Sequence, residues 1–275
     1  MRFYLGTHET SWLRLTSIPL FISAIRLRRR KTRFPQSKGK WALDSGGFSE
    51  LNKTGTWSVT AKAYSDEVSK WMEEIGSLEW AAIQDWMCEP IVLKKTGKTV
   101  LDHQRLTIQN YHDLIAIDGS KPWIPVVQGW EFDDYLKHVE MYYESGVDLR
   151  KCKLVGIGSV CRRQDTLMVE SLIKVLATSG IKVHGFGFKI DGLKKCSRWL
   201  ESADSLSWSF YARRVYSAVG SRMCDENHKG SCASCFDWAG KWRKQVLSAI
   251  DTGYAQPDPR RSLFDHCDVI NNFQA

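Results

Sequence analysis

Short apolar runs and longer amphipathic stretches take turns along almost the whole chain. Arg2–Gly6, Leu20–Ser23, Trp41–Asp44, Trp80–Asp85, Trp123–Gly129, Lys153–Ser159, Lys182–Gly187 and Ala203–Trp208 are brief and rich in apolar and aromatic residues, and all but the last end in glycine or a polar residue. That pattern predicts buried strands. Between them the apolar positions fall at helical spacing, as Val59, Ala63, Val68, Trp71, Met72 and Ile75 do, and predict a helix from about Ser58 to Ile75. Further helices are expected over Val100–Ile117, Phe132–Ser145, Thr166–Thr178, Leu193–Glu201 and Phe236–Ile250. Strands alternating with helices of this length form right-handed βαβ units on a parallel sheet. Eight such strands fit an α/β fold of the (β/α)8 TIM-barrel type better than an open sheet, as a single catalytic domain over residues 1–275.

In a barrel of this kind the strand ends converge on one face, where active sites are built. The stretch Trp41-Ala42-Leu43-Asp44-Ser45-Gly46-Gly47-Phe48 is a strand delivering a carboxylate beside two residues of bare backbone and an aromatic ring. Taken alone it reads equally well as a tight turn with a solvated acid. The same grammar recurs, however, at Asp85, Gln128, Gly156–Ser159, Gly185–Gly187 and Asp204. Three carboxylates, an amide and exposed backbone on one rim suit a planar, hydrogen-bonding base.

With 43% hydrophobic residues among 275, the chain can bury a full core. A formal charge of +8 and a pI near 9.0 favour a polyanionic partner, nucleic acid ahead of membrane. The densest positive run, Arg26-Leu27-Arg28-Arg29-Arg30-Lys31-Thr32-Arg33, is either a solvated loop or a phosphate-contacting arm beside the Asp44 strand. The early apolar run Ile18–Ile25 is too short to span a bilayer, and no secretory signal is evident. A soluble protein of a reducing, cytoplasmic compartment is expected, without membrane association.

Eight cysteines in such a compartment point to metal sooner than to disulfides. Cys224-x3-His228-x3-Cys232-x2-Cys235 offers four ligands in a loop ahead of the last helix, within a zinc-binding subregion of about 222–250. The spacing suits a closed structural Zn2+ site, against free thiols in a loop. Cys88, Cys152, Cys161 and Cys196 read as buried small hydrophobes, and His8, His103, His112, His138 and His184 as structural, with His184 nearest the site.

These motifs resemble the tRNA-guanine transglycosylases and their DNA-acting relatives, the phage and bacterial deazapurine-DNA transglycosylases. Asp44-Ser45-Gly46-Gly47-Phe48 is similar to the family's DSGGF signature, and Val127-Gln128-Gly129 to its VQGG segment, with Trp130 at the second glycine. Gly156-Ile157-Gly158-Ser159 resembles the IGGL loop, with Ser159 in place of a glycine, and Gly185-Phe186-Gly187 the MGVG strand end. Asp204 stands where the family has the acid of its FDCVLPTR stretch, of which Arg213 is the one other residue that could correspond. The resemblance spans roughly Asp44 to Trp242.

It implies that Asp204 is the nucleophile attacking C1′ of a guanosine and Asp44 the general base for the incoming base. Asp85, Gln128, Gly129, Gly158, Ser159 and Gly185 would hold the base, and Phe48 would stack on it. The family places its zinc on three cysteines and a downstream histidine, so His266 or Cys267 could replace His228. The expected reaction is exchange of guanine in DNA for a 7-deazaguanine such as preQ0, with tRNA as the alternative polymer. DNA is preferred because the chain is short and shows no appended RNA-binding domain. A non-catalytic binding subunit and a barrel hydrolase of N-glycosidic bonds are the other readings. A homodimer is compatible with the resemblance, and a phage-encoded copy would act in the host cytoplasm.

Overall fold

The computed structural model describes residues 1–161, 163 and 166–255. The strands are β1 (Arg2–Thr7), β2 (Leu20–Ser23), β3 (Trp41–Asp44), β4 (Leu78–Ala82), β5 (Trp123–Ile124), β6 (Val126–Val127), β7 (Val155–Ile157), β8 (Val183–Gly185) and β9 (Ser202–Ser205). All their pairings are parallel, in the order β5-β4-β3-β2-β1-β9-β8-β7-β6. The order follows the chain around a nearly closed barrel, as expected. β5 and β6 are the two halves of the predicted strand Trp123–Gly129, interrupted at Pro125. Proline has no N–H for a ladder. Here the chain changes partner: the Pro122 carbonyl accepts from Ala81 of β4, and the Pro125 and Val127 carbonyls accept from Gly156 and Gly158 on the β7 side.

Local chemistry sets several boundaries. The helix expected from Ser58 begins at Ala61, because the Thr60 hydroxyl caps it by accepting from the Ala63 N–H at 3.2 Å. Thr99 and Asp102 form a reciprocal capping box ahead of the helix Val100–Asp118. The last strand is shorter than expected. It stops at Ser205, and Ser207–Val219 is a helix whose apolar positions Trp208 and Ala212 turn inward. The Trp208 indole donates to the Gly6 carbonyl at 2.8 Å, fixing that turn against β1. The helix expected over Leu193–Glu201 runs instead from Ile190 to Cys196, followed by a 3-10 turn.

The barrel interior is aromatic. Tyr4, Phe21, Trp80, His184 and Phe186 pack edge-on or tilted, with Trp80 and His184 centroids 4.6 Å apart. Trp57, Trp130 and Trp199 are partly exposed and every other tryptophan is buried, so this residue type serves chiefly the core. No helix among the described residues is long and apolar enough to cross a membrane.

Candidate active site

The C-terminal ends of the strands enclose a cavity of about 430 Å³, lined among others by Asp44, Phe48, Asp85, Glu89, Ser159 and Asp204. That volume is within the range of small-ligand sites. β3 supplies Asp44, whose carboxylate accepts from the Ser23 side chain at the end of β2 and from the Gly46 N–H. Gly46 has φ of +87° and caps the helix Gly47–Thr54. A side chain there would be strained and would meet Ile25 at 2.8 Å. The left-handed turn carries Phe48 into the cavity on the first turn of that helix.

Asp85 lies just beyond β4 and is buried. Ser45 donates to its Oδ1 at 3.1 Å and the Gln128 amide donates to its Oδ2. Burial, then the nearby Asp44 charge, raises its carboxyl to about 7 despite these donors. Asp44 is also raised, first by burial and also by the Asp204 charge. Carboxylates in one low-dielectric pocket resist ionising together.

Gln128 is fully buried behind Asp85 and is held from every side. Its backbone N–H donates to His138 Nδ1 at 2.7 Å, and its carbonyl accepts from Gln104 at 2.8 Å. Burial lowers His138 to about 3, so the ring is neutral, with Nε2 facing the Gln104 carbonyl. The Ser159 hydroxyl sits 2.7 Å from Gln128 Oε1 and 3.0 Å from Glu89 Oε2, and accepts from the Cys88 N–H. Ser159 has φ of +55°, a region costly for a side chain, at the position where the resembling loop has glycine. A Cβ at Gly158 would lie 2.1 Å from Gln128 Nε2, so only glycine lets the amide cross there.

Asp204 projects from β9. Its Oδ1 accepts from the Gly187 N–H at 2.9 Å and faces His184 Nε2 at 3.3 Å. His184 Nδ1 is 2.8 Å from the Ser202 hydroxyl. Burial lowers His184 below the usual histidine range. The neutral ring fits one tautomer: Ser202 donates to Nδ1, and Nε2–H points at Asp204.

Of the base-contacting residues expected from the sequence, Asp85, Phe48, Gly158 and Ser159 line the cavity with Asp44 and Asp204. Gln128 acts from behind, through Asp85. Gly129 and Gly185 are not among the lining residues. A Cβ on Gly129 would meet the Tyr135 backbone nitrogen at 2.8 Å, and one on Gly185 the Phe188 ring at 2.6 Å. Both glycines answer to packing behind the site.

The basic run divides in two. Arg28 points away, pairing with Glu67 at 2.8 Å, and Arg30 donates to Thr10 at 2.8 Å. Arg26 and Arg29 line the cavity mouth beside His8. Burial, followed by the Arg26 and Arg213 charges, pushes His8 down to about 4. An acidic floor thus lies under a cationic rim. Sequence reasoning did not single out Glu89; its only signal is a carboxylate placed just ahead of the Pro90 helix start.

Cys224, His228, Cys232 and Cys235 bring their donor atoms within 4.8 Å of one another, and the set could hold a metal ion. Cys224 Sγ is 3.1 Å from His228 Nε2 and 3.3 Å from Cys232 Sγ. Tetrahedral zinc with bonds of roughly 2.0–2.3 Å needs ligand atoms about this close or slightly wider. His266 and Cys267, the alternative ligands, lie outside the described residues. The cluster braces the helix that follows β9: Ser209 donates to the Ala233 carbonyl at 2.7 Å, and the Trp238 indole to that of Trp208 at 3.0 Å.

A parallel barrel with acids on its strand ends, a cationic rim and a Cys/His cluster beside its last strand has the layout of an α/β-barrel enzyme. The sequence matches the DpdA family, DeoxyPurine in DNA protein A, over residues 1–267, and the chain belongs to that family. The match agrees with the resemblance read from the motifs, and the family suggests a DNA-modifying transglycosylase, an enzyme of glycosyl transfer. No curated protein matches the sequence.

Proposed function

We propose that this chain, as one catalytic unit, replaces guanine in DNA by a 7-deazaguanine such as preQ0 through a glycosyl-enzyme intermediate. The observation that supports this most is the convergence of Asp44, Asp85 and Asp204, on or just beyond three different strands, on one base-sized cavity. Asp204 Oδ2 attacks C1′ of the target deoxyguanosine while Oδ1 stays hydrogen-bonded to Gly187 and His184. The C1′–N9 bond breaks, its electron pair leaves with guanine, and an ester joins C1′ to Asp204. Guanine departs with the proton held on the raised Asp44 carboxyl, and the Asp44 carboxylate so formed takes one back from N9–H of the incoming 7-deazaguanine. That nitrogen then displaces Asp204 from C1′. One difficult displacement becomes two easier ones, as in retaining glycosidases. A raised carboxyl at Asp44 suits a general base working near neutral pH.

Asp85 offers acceptors to the N1–H and 2-amino group that guanine and its 7-deaza analogue share, and Phe48 supplies a stacking face. A base held so deep has left the helical stack. The Cys/His set fits zinc, and a bound Zn2+ would fix the loop ahead of the last helix without entering the chemistry. The setting in this reading is the cytoplasm of a bacterium or phage host.

The test supplies labelled preQ0 or guanine with DNA or tRNA and counts label in the polymer, alongside Asp204→Ala. Label in DNA, abolished by that substitution together with covalent trapping, is expected. Label in tRNA alone would replace the polymer, and a fully active Asp204→Ala would overturn the nucleophile.

A further inference from the structure

The helix Ser207–Val219 leaves the strand that carries Asp204, so its first turns stand at the catalytic rim. Its inner face is conventional: Trp208, Ser209 and Ala212 are buried. Its outer face is not. Phe210 and Tyr211 are 60% and 52% exposed. Large exposed side chains gathered on one element mark a surface meant to be covered. Phe210, Arg213, Arg214 and Ser217 follow helical spacing and form one outward stripe. The Arg214 guanidinium lies over the Phe210 ring, 5.8 Å from its centroid. The helix holds two arginines and no acidic residue.

We propose that this face is the platform for the DNA strand flanking the extruded nucleotide. A base adjacent to the target stacks on Phe210, and neighbouring phosphates pair with Arg213 and Arg214. The inference rests on the reading that the chain acts on DNA and adds where the polymer lies. Three observations favour this occupant. Aromatic rings interleaved with arginines are the chemistry that holds single strands, since every base has a π-face and every linkage a charge. The face is continuous with the cavity mouth: Arg213 is close enough to Arg26 and His8, both lining residues, to influence their protonation. Together Arg26, Arg29, Arg213 and Arg214 make a cationic path from the cavity onto the helix. Charge also disfavours a second copy of the chain, because a two-fold contact here would set Arg213 and Arg214 against their own equivalents.

The experiment measures anisotropy of a labelled single strand and a labelled duplex across a salt series, without incoming base. Wild-type protein is compared with Phe210→Ala and with Arg213→Ala/Arg214→Ala. All three side chains are exposed, so circular dichroism and melting should match the wild type. Losing one stacked base should weaken single-strand binding roughly 5- to 150-fold. Losing two phosphate contacts should weaken binding to every sequence and make the log–log salt slope shallower by about 1.4–1.8. Unchanged affinity and slope in both variants would overturn the proposal. So would a wild-type dimer in sedimentation that Phe210→Ala dissociates without altering DNA affinity, which would make the face a subunit interface. The readout needs no turnover. Failure of base exchange would therefore appear as absent label with DNA binding intact, whereas failure of the platform would appear as label incorporation with both variants binding normally.

Discussion

Asp85→Asn isolates the electrostatic cost built into the cavity. Burial and the Asp44 charge raise the Asp85 carboxyl from 3.8 to about 7. A group whose proton affinity is higher in the folded state binds more protons folded than unfolded between those two values. Stability must therefore fall as pH rises from about 4 to about 7 and level off above. The three-unit shift corresponds to about 4 kcal/mol at about 1.36 kcal/mol per unit, an upper figure because Asp44 titrates with it. Asparagine has the same shape and no charge to desolvate. It still accepts from Ser45, but its amide must turn an N–H toward Gln128 Nε2, itself a donor, which costs about 1–3 kcal/mol at every pH. Urea unfolding of both proteins at intervals from pH 4 to pH 8 separates the two contributions. Other titrating groups largely cancel in the difference between variant and wild type. That difference should shift toward the variant by up to about 4 kcal/mol across the window, even if the variant starts less stable. A difference independent of pH would refute the reasoning. One moving the opposite way would mean that Ser45 and Gln128 hold Asp85 ionised against burial.

Three other perturbations test the neighbouring contacts. Gly158→Ala drives a methyl into Gln128 Nε2 and should cost about 1–3 kcal/mol in thermal or urea unfolding, with weaker binding of the free base by calorimetry. His184→Ala removes the ring from beside Asp204; it should slow formation of the covalent intermediate about 10- to 100-fold while leaving base KM nearly unchanged, and His184→Gln should restore part of the rate in rapid-quench experiments. Metal analysis should find one zinc per chain, and chelation should lower the melting temperature and expose the loop between Arg222 and Cys235 to protease, an outcome that equal melting with and without chelator would contradict.

The barrel was legible because its strands are buried on both faces and so appear as short apolar runs between amphipathic stretches. Pro125 hides a change of hydrogen-bonding partner inside one such run, which apolar pattern alone does not register. The run Leu206-Ser207-Trp208 misled for a related reason. A buried tryptophan at the second position of a helix looks like one more strand residue until the outward Phe210, Arg213 and Arg214 are counted with it.

Within the site, the acids at strand ends could be placed because a strand end fixes where a side chain emerges. What those side chains touch could not. Gln128, expected to meet the base, donates to Asp85 from behind, and its own backbone is gripped by His138 and Gln104, residues on two different helices. His184 has no motif around it, and its place beneath Asp204 follows from the β8–β9 register, which pairs His184 with Ser202. Gly129 and Gly185 show the converse. A glycine that admits a ligand and one that admits the ring of Tyr135 or Phe188 are identical in sequence, and only the atom a Cβ would strike distinguishes them. The basic run obeys the same logic: Arg28, which ends a short helix and turns toward Glu67, and Arg29, its C-cap turned toward the cavity, are adjacent letters that point different ways. Charge density along the chain locates a cationic region. The helical turn decides which of its arginines is left to meet a phosphate.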